Sequence, residues 1–373
     1  MSQRTLHLQA VTPEELCEIV ECLTLAEARR IVSAVHRHDR LPPVVRNVRR
    51  TSLESVRNAG AIPTLTVAAR EPSRIDAFVK YSLCTPDGRP IETVRIPLER
   101  PGRFSVCVSS QAGCALGCSF CATGRLGLDR NLEVWEMVEQ VRTVRRGLDL
   151  PAGHRVHGCV FQGMGEPLAN LDRVIRAVRV LSEPSGLAID ARAVTVCTAG
   201  IPAGIRRMAA EIPKVRLGLS IASPRSETRR NLMPIDRAHP LTEVLEAAAG
   251  HARTTRLAPM WAYTLLEGVN DSEGDASELA RLARGFEKES GVRPRISILA
   301  FNPIDPPGMG GYGRSAPDRE SAFRRVLAEA GLPSHRRYSG GSDVAAACGQ
   351  LAGGLPGESG RGPARDQPIC SAR

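Results

Sequence analysis

Cys114, Cys118 and Cys121 lie within eight residues, in the run Cys114-Ala115-Leu116-Gly117-Cys118-Ser119-Phe120-Cys121. Three thiolates are one short of the four donors that close a zinc site or an iron–sulfur cluster. The spacing therefore suggests a 4Fe-4S cluster with one iron left open, and an open iron can bind something other than protein. A zinc site completed by a distant ligand, or plain buried thiols, also satisfies the spacing.

Further residues stand out by type. In Gly163-Met164-Gly165-Glu166-Pro167 the two glycines would let backbone approach a ligand closely, and Glu166 offers a carboxylate. The plain alternative is a Gly-rich turn capped by a glutamate. Cys348 sits in the Ala-rich segment SDVAAACGQLAGG (342–354), and Cys107 just precedes the triplet. Each can be read as a small buried apolar residue.

From residue 100 onward the elements needed to position these groups are visible. Strand patterns at 103–110, 156–165, 191–200, 215–223, 258–268 and 293–303 alternate with helix patterns at 132–147, 171–182, 204–212, 241–254, 277–290 and 320–331. Short apolar strands alternating with amphipathic helices predict a parallel sheet with right-handed crossovers. Six such units fit an open, partial (β/α)6 barrel, whose chemistry sits at the C-terminal ends of its strands. The triplet falls there, after the first strand. GMGEP, Cys197-Thr198, Ser220 and Asn302 fall at the ends of later ones.

Residues 1–100 read as a small N-terminal accessory region. A basic helix at 23–38 is followed by Leu41-Pro42-Pro43, then by a hairpin of 76–84 and 91–98 around Pro86-Asp87-Gly88. Residues 101–352 form the barrel and the Cys348 loop. The Gly/Pro/Arg-rich tail 353–373 is expected to be disordered.

Composition sets bounds. Hydrophobic residues are 42% and charged residues 24%, ordinary for a globular protein. No apolar run approaches a membrane span, and the N-terminus lacks a signal-peptide core, so a cytoplasmic protein without a membrane partner is expected. Eleven cysteines, an odd number, argue against a disulfide scaffold. Most of Cys17, Cys22, Cys84, Cys159, Cys197 and Cys370 read as buried apolar residues. The net charge of +10 is compatible with an RNA partner, although Arg-rich composition alone is weak evidence. Aromatic residues are only 3%, which disfavours a base-stacking platform.

Cys-x3-Cys-x2-Cys after a first barrel strand resembles the signature of the radical S-adenosylmethionine superfamily, with its partial (β/α)6 barrel. VCVSSQAGCALGCSFCATG (106–124), FQGMGEPLAN (161–170) and AACGQLAG (346–353) narrow the resemblance. They are similar to the 23S rRNA adenine methyltransferases RlmN and Cfr, and the likeness runs from about Ile91 to Gly353. LGLDRNL (126–132), NLMPI (231–235) and GVNDS (268–272) also fit.

The resemblance implies a 4Fe-4S cluster on Cys114, Cys118 and Cys121, with S-adenosylmethionine on its open iron. Gly165, Glu166, Cys197, Ser220, Ile221, Ala222 and Asn302 would line the S-adenosylmethionine site. Adenine carbon 2 and carbon 8 are too electron-poor for polar methylation, so the family works in two stages. Cys348 would first be methylated, and a 5′-deoxyadenosyl radical would then take hydrogen from that methyl. The methylene radical would add to the ring carbon, and Glu92, in IETVRIP, would accept the ring proton. Cys107 would release the product by forming a transient disulfide with Cys348. A one-electron reductant such as flavodoxin or ferredoxin, an RNA substrate and a monomeric enzyme are further implications.

The chain departs from the family in places. Cys197 stands where serine is usual, Ala222 where histidine is usual, and Gln162 where methionine is usual. Residues 1–75 show no match to the family's accessory RNA-binding domain. A second reading is therefore the same radical chemistry on a tRNA, a peptide or a small metabolite. A third, a non-catalytic metal-stabilised nucleic-acid-binding protein, needs neither Cys348 nor Cys107.

Overall fold

The computed structural model describes residues 6–304 and 311–352. The expected disordered tail, with Cys370, lies outside the described residues. The chain begins with a helical unit: β1 (Leu6–His7), α1 (Pro13–Ile19), α2 (Leu25–His38), α3 (Arg50–Ala59) and β2 (Gly60–Ala61). Thr12 with Glu15, and Thr24 with Glu27, form reciprocal capping boxes that start α1 and α2. Each box satisfies backbone N–H groups that a helix start leaves unpaired, worth about 1 kcal/mol. Ala28, Ile31, Val32 and Val35 make one stripe of α2 and pack with Leu16, Leu53 and Val56 into a core of their own.

Four antiparallel strands follow: β3 (Thr66–Pro72), β4 (Val79–Cys84), β5 (Pro90–Pro97) and β6 (Arg103–Val108). After β6 come β7 (Gln111–Cys114), α4 (Ala122–Leu126) and β8 (Gly127–Asn131), a side hairpin carrying the cysteine loop. The alternation then runs α5 (Val134–Arg146), β9 (Arg155–Phe161), α6 (Leu171–Ser182), β10 (Val194–Thr198), α7 (Pro202–Glu211) and β11 (Arg216–Ser220). It ends with α8 (Ser226–Leu232), α9 (Leu241–Thr255), β12 (Met260–Leu265), α10 (Glu273–Ser290), β13 (Arg295–Ala300), α11 (Pro317–Glu329) and β14 (Ser334–Arg337).

Ten strands form one sheet, in the order β14-β13-β12-β11-β10-β9-β6-β5-β4-β3. From β6 to β14 the pairings are parallel, the arrangement of a partial (β/α) barrel. The sheet runs without a break across residue 100, where the sequence suggests a change of region, because β5 pairs directly with β6. The six expected parallel strands are present, and β14 adds a seventh. Its sequence, Ser-His-Arg-Arg, has no apolar alternation, so nothing in its pattern announces a strand.

The outer strands β3 and β14 are not hydrogen-bonded to each other. The loop after β14 bridges them instead. Asp343 accepts hydrogen bonds from the Ser73 hydroxyl and the Arg74 N–H, both at 2.8 Å. Asp76 accepts from the Tyr338 hydroxyl and the Gly341 N–H, also at 2.8 Å. Among the described residues no helix is long and apolar enough to cross a membrane.

Candidate active site

The cysteine loop is shaped by its glycines and by what lies beneath it. Gly113 and Gly117 adopt φ of +77° and +61°. A Cβ on Gly124 would lie 2.9 Å from both N and O of Cys118, so only glycine lets α4 close against the loop. Leu116, Cys118 and Phe120 rest on a small apolar cluster of Ala199, Ala222, Leu232, Met233, Leu266 and Phe301. The Ser119 N–H donates to Leu232 O at 3.0 Å.

Burial pushes the Cys114 thiol up to about 11. It raises Cys118 further, with Cys121, Cys114 and Glu166 adding to the shift and Arg229 opposing it. The three sulfurs are thus within electrostatic reach of one another. Among the described residues, no three His, Cys, Asp or Glu side chains converge on one point as a single-ion site requires. Three thiols divided over several irons need not converge in that way, and this donor set fits an iron–sulfur cluster.

GMGEP forms the turn after β9. Gly165 has φ +98°, and Cβ atoms on Gly163 and Gly165 would press on Ser109 and Gln111 at 2.7 and 2.5 Å. The close approach those glycines permit is to the end of β6 and the start of β7. Glu166 is buried; its Oε1 accepts from Leu168 N at 2.9 Å and its Oε2 from Ala199 N at 2.8 Å. Burial raises its pKa, against the hydrogen bonds from Ala199, Thr198 and Leu168.

Cys197 is buried on β10, its thiol pushed up to about 12 by burial. Ser220 ends β11, and Ile221 and Ala222 follow it, with Ala222 at φ +57°. Arg229 ties this turn together. It donates to Ser220 O at 2.8 Å, to Ile221 O, to Ala199 O at 2.7 Å and to Asp236 at 2.9 Å.

Cys107, on β6, and Cys348 line one cavity with Val94, Ile96, Gln162 and Arg337. Cys121 lines it too, so the cavity reaches the cysteine loop. Cys348 is fixed through its backbone: its N–H donates to Ser339 Oγ at 2.8 Å, and its carbonyl accepts from Asn302 Nδ2 at 3.2 Å. The next residues reach the cluster side. Gly349 O accepts from Ala122 N at 2.8 Å, and Leu351 O accepts from the Thr123 hydroxyl at 2.5 Å.

Burial raises the Cys107 thiol well above its usual range, and Cys348 adds to the shift. Both thiols are free, so the disulfide expected between them is not formed in this structure. Glu92 is buried beside the cavity, outside its lining. Its Oε2 accepts from Ala352 N at 2.8 Å, and its Oε1 lies 3.4 Å from Lys80 Nζ.

The structure thus brings Cys107, Cys348, Asn302 and Glu92 together beside the Cys114–Cys121 loop. Sequence reasoning missed Arg229, Lys80 and Arg337. Lys80 had a faint signal, a single lysine in a strand paired with the glutamate strand; Arg337 had none.

Residues 108–279 match the model of the Radical SAM superfamily. A crystal structure of a radical SAM methyltransferase from Sphaerobacter thermophilus superposes with TM-score 0.83 at 34% identity, covering 94% of this chain and 100% of that one. Fold and loop together define a radical S-adenosylmethionine enzyme, a class that implies an iron–sulfur cluster and S-adenosylmethionine.

A probable RNA methyltransferase of Sorangium cellulosum is 58% identical over 91% of this chain and 90% of its own length. The dual-specificity RNA methyltransferase RlmN of Syntrophobacter fumaroxidans is 41% identical over 78% and 80%. The chain belongs to the RlmN/Cfr-type family of radical S-adenosylmethionine RNA methyltransferases.

Proposed function

We propose that this RNA methyltransferase places a methyl group on an adenine ring carbon, carbon 2 or carbon 8, of 23S rRNA, through an S-methylcysteine at Cys348. The observation that carries this reading is the pair of free thiols, Cys107 and Cys348, on one cavity that also reaches Cys121. A cluster-binding protein has no use for two further thiols there; a methyl carrier and the thiol that releases it do.

When bound, a 4Fe-4S cluster on Cys114, Cys118 and Cys121 with S-adenosylmethionine on its open iron supplies a 5′-deoxyadenosyl radical, its electron coming from a carrier such as flavodoxin or ferredoxin. Gly165, Glu166, Cys197, Ser220, Ile221, Ala222 and Asn302 surround the methionine and adenosine parts. Asn302 has a second task, since its amide holds the Cys348 carbonyl. Cys348 carries the methyl as a thioether and, after losing a hydrogen atom from it, joins the base through its methylene carbon.

Glu92 accepts the ring proton as the adduct passes its unpaired electron back to the one-electron carrier. Its Oε2 holds the Ala352 N–H and its Oε1 faces Lys80, which fixes the carboxylate in place. Cys107, as thiolate, attacks the Cys348 sulfur and frees the methylated base, leaving a transient disulfide that is then reduced. The enzyme acts as a monomer in the cytoplasm.

The test is to react anaerobically reconstituted Cys107→Ala with 23S rRNA and S-adenosylmethionine. A covalent RNA–protein adduct through Cys348 is expected. An adduct-free reaction with a Cys348 peptide that never gains a methyl sinks the two-stage reading. The dual specificity in the name of the Syntrophobacter fumaroxidans relative makes another RNA the first alternative substrate to try.

A further inference from the structure

The cavity shared by Cys107 and Cys348 also contains a cation without an assigned task. Arg337, the last residue of β14, lines it alongside both cysteines. Burial works against its charge, while the sulfurs of Cys348, Cys197 and Cys107, in that order, work for it. Among the described residues it makes no ion pair with a carboxylate. Its guanidinium contact is a long one, Nη1 to Met260 Sδ at 3.9 Å. Arg229 is the contrast, a buried arginine committed to Asp236 and backbone carbonyls.

A guanidinium cannot shed its proton, so it must keep its charge wherever the fold puts it. Charges inside proteins are ordinarily paired, and one left facing a cavity favours whatever anion forms there. The wall otherwise offers apolar Phe78, Val94 and Ile96 and the neutral polar residues Thr123, Gln162, Tyr338 and Ser339, none of which carries a full positive charge.

We propose that Arg337 is a positioning residue that holds the negative charge of the Cys348 thiolate during its methylation, and then that of the Cys107 thiolate during product release. The inference rests on the two-thiol reading above and extends it. One cation can serve both sulfurs because only one must be anionic at a time. In the first step the Cys348 sulfur forms an S–CH3 bond as the sulfonium–methyl bond of S-adenosylmethionine breaks. The thiolate becomes a neutral thioether and the sulfonium a neutral thioether, so Arg337 is released to the second sulfur. In the last step the Cys107–Cys348 S–S bond forms as the S–CH2 bond breaks, and the electron pair leaves on the carbon, which takes a proton.

Other charges near these sulfurs do not substitute for it. The charged groups acting on the Cys107 thiol are Cys348, Arg337 and Cys197, beside one backbone hydrogen bond from Gln162, and those acting on Cys197 are Arg337, Cys348 and Glu166. Arg337 is the only cation among them.

The test reads thiol reactivity and needs no RNA. Full-length protein is purified without its cluster, then reconstituted with iron and sulfide in the absence of S-adenosylmethionine, so that Cys348 begins as a thiol. Iodoacetamide alkylation is followed from pH 6 to 10 by mass spectrometry, separately for Cys107 and Cys348. Arg337→Met should slow both thiols at neutral pH by roughly tenfold or more and move both midpoints upward, as expected for loss of a neighbouring charge. Arg337→Lys should restore both profiles. Unchanged midpoints in an Arg337→Met protein with wild-type iron content and circular dichroism overturn the proposal, as does a shift confined to one thiol. Should Arg337→Met fail to hold its cluster, Arg337→Gln is read in its place on the same criteria. Adding S-adenosylmethionine to the wild-type protein afterwards reports Cys348 methylation. Its absence with shifted midpoints would count against the proposed function and leave the role of Arg337 standing.

Discussion

The loop of Cys114–Cys121 and the loop of Cys348 line the same cavity but are built in opposite ways. In the first, all three chemical groups come from one short stretch, and its turn is set by nearby glycines and α4. In the second, the chemistry is a single thiol placed by distant partners: Ser73, Asp76, Ala122, Thr123 and Asn302. A local loop delivers its three donors together, and the apolar cluster beneath it, from Ala199 to Phe301, seats them. The carrier loop gets its position only from a completed sheet, so its failures should be separable from those of the cluster.

The largest expected effects divide the two loops. Cys118→Ala should lose iron and with it cleavage of S-adenosylmethionine. Cys348→Ala should keep both while RNA methylation falls by about a thousandfold or more. Iron analysis and 5′-deoxyadenosine release check this, and loss of iron in Cys348→Ala would merge the two regions into one.

Glu92→Gln comes next. It keeps an acceptor for the Ala352 N–H but removes the charge that faces Lys80. Turnover should drop by roughly 10² to 10⁴ with Cys348 still methylated. A loss of less than threefold would move the proton acceptor elsewhere.

A matched pair of glycines sharpens the comparison. Gly117 and Gly341 both have positive φ, +61° and +73°. A Cβ on Gly117 meets nothing within 4 Å, whereas one on Gly341 lies 2.7 Å from Ala346 Cβ. Gly341→Ala adds that clash to the backbone strain of about 1–2 kcal/mol that both share. Methyl transfer should fall about tenfold in Gly341→Ala at constant iron content. Gly117→Ala should show only a mild loss of iron affinity.

The smallest effect is that of pH on the carrier loop. Burial would raise the Asp76 pKa, but hydrogen bonds from Gly341, Phe78, Tyr338 and Ser73 outweigh it and hold it below the usual value. Asp343 is held low by the Arg74 N–H and Ser73 hydroxyl. Carboxylates lowered on folding stabilise the docked loop above the ordinary carboxylate range, and that stability is lost as pH falls through the lowered values. Hydrogen-exchange protection of 338–350, corrected for the intrinsic pH dependence of exchange, should therefore hold down to about pH 4 and fall below it, and Asp76→Asn should show less protection already at neutral pH. A flat profile would show that the loop does not depend on these carboxylates.

The same contrast explains what could be read from the sequence. The cluster motif and the βα alternation are periodic or local, and α6 begins and ends where its pattern does. Strand β14, helix α8 and the Asp76–Asp343 clasp carry no pattern, because polar residues paired across the fold leave no periodicity. Glu92, Cys107 and Cys348 were named through family likeness, since as isolated residues each reads as structural. Arg337 was invisible for the same reason and had no likeness to mark it.

The docking of residues 338–352 onto the strands before β6 has a consequence for how the protein is made. Synthesis delivers the chain from its N-terminus, so cluster donors and most of the sheet emerge well before Cys348 does. The segment that completes the cavity leaves the ribosome long after the cysteine loop, and it must reach back to Ser73, Asp76 and Glu92. An interrupted chain ending before residue 338 would carry Cys114, Cys118 and Cys121 without Cys348. Emergence of residues 338–352 is thus the step that completes the cavity.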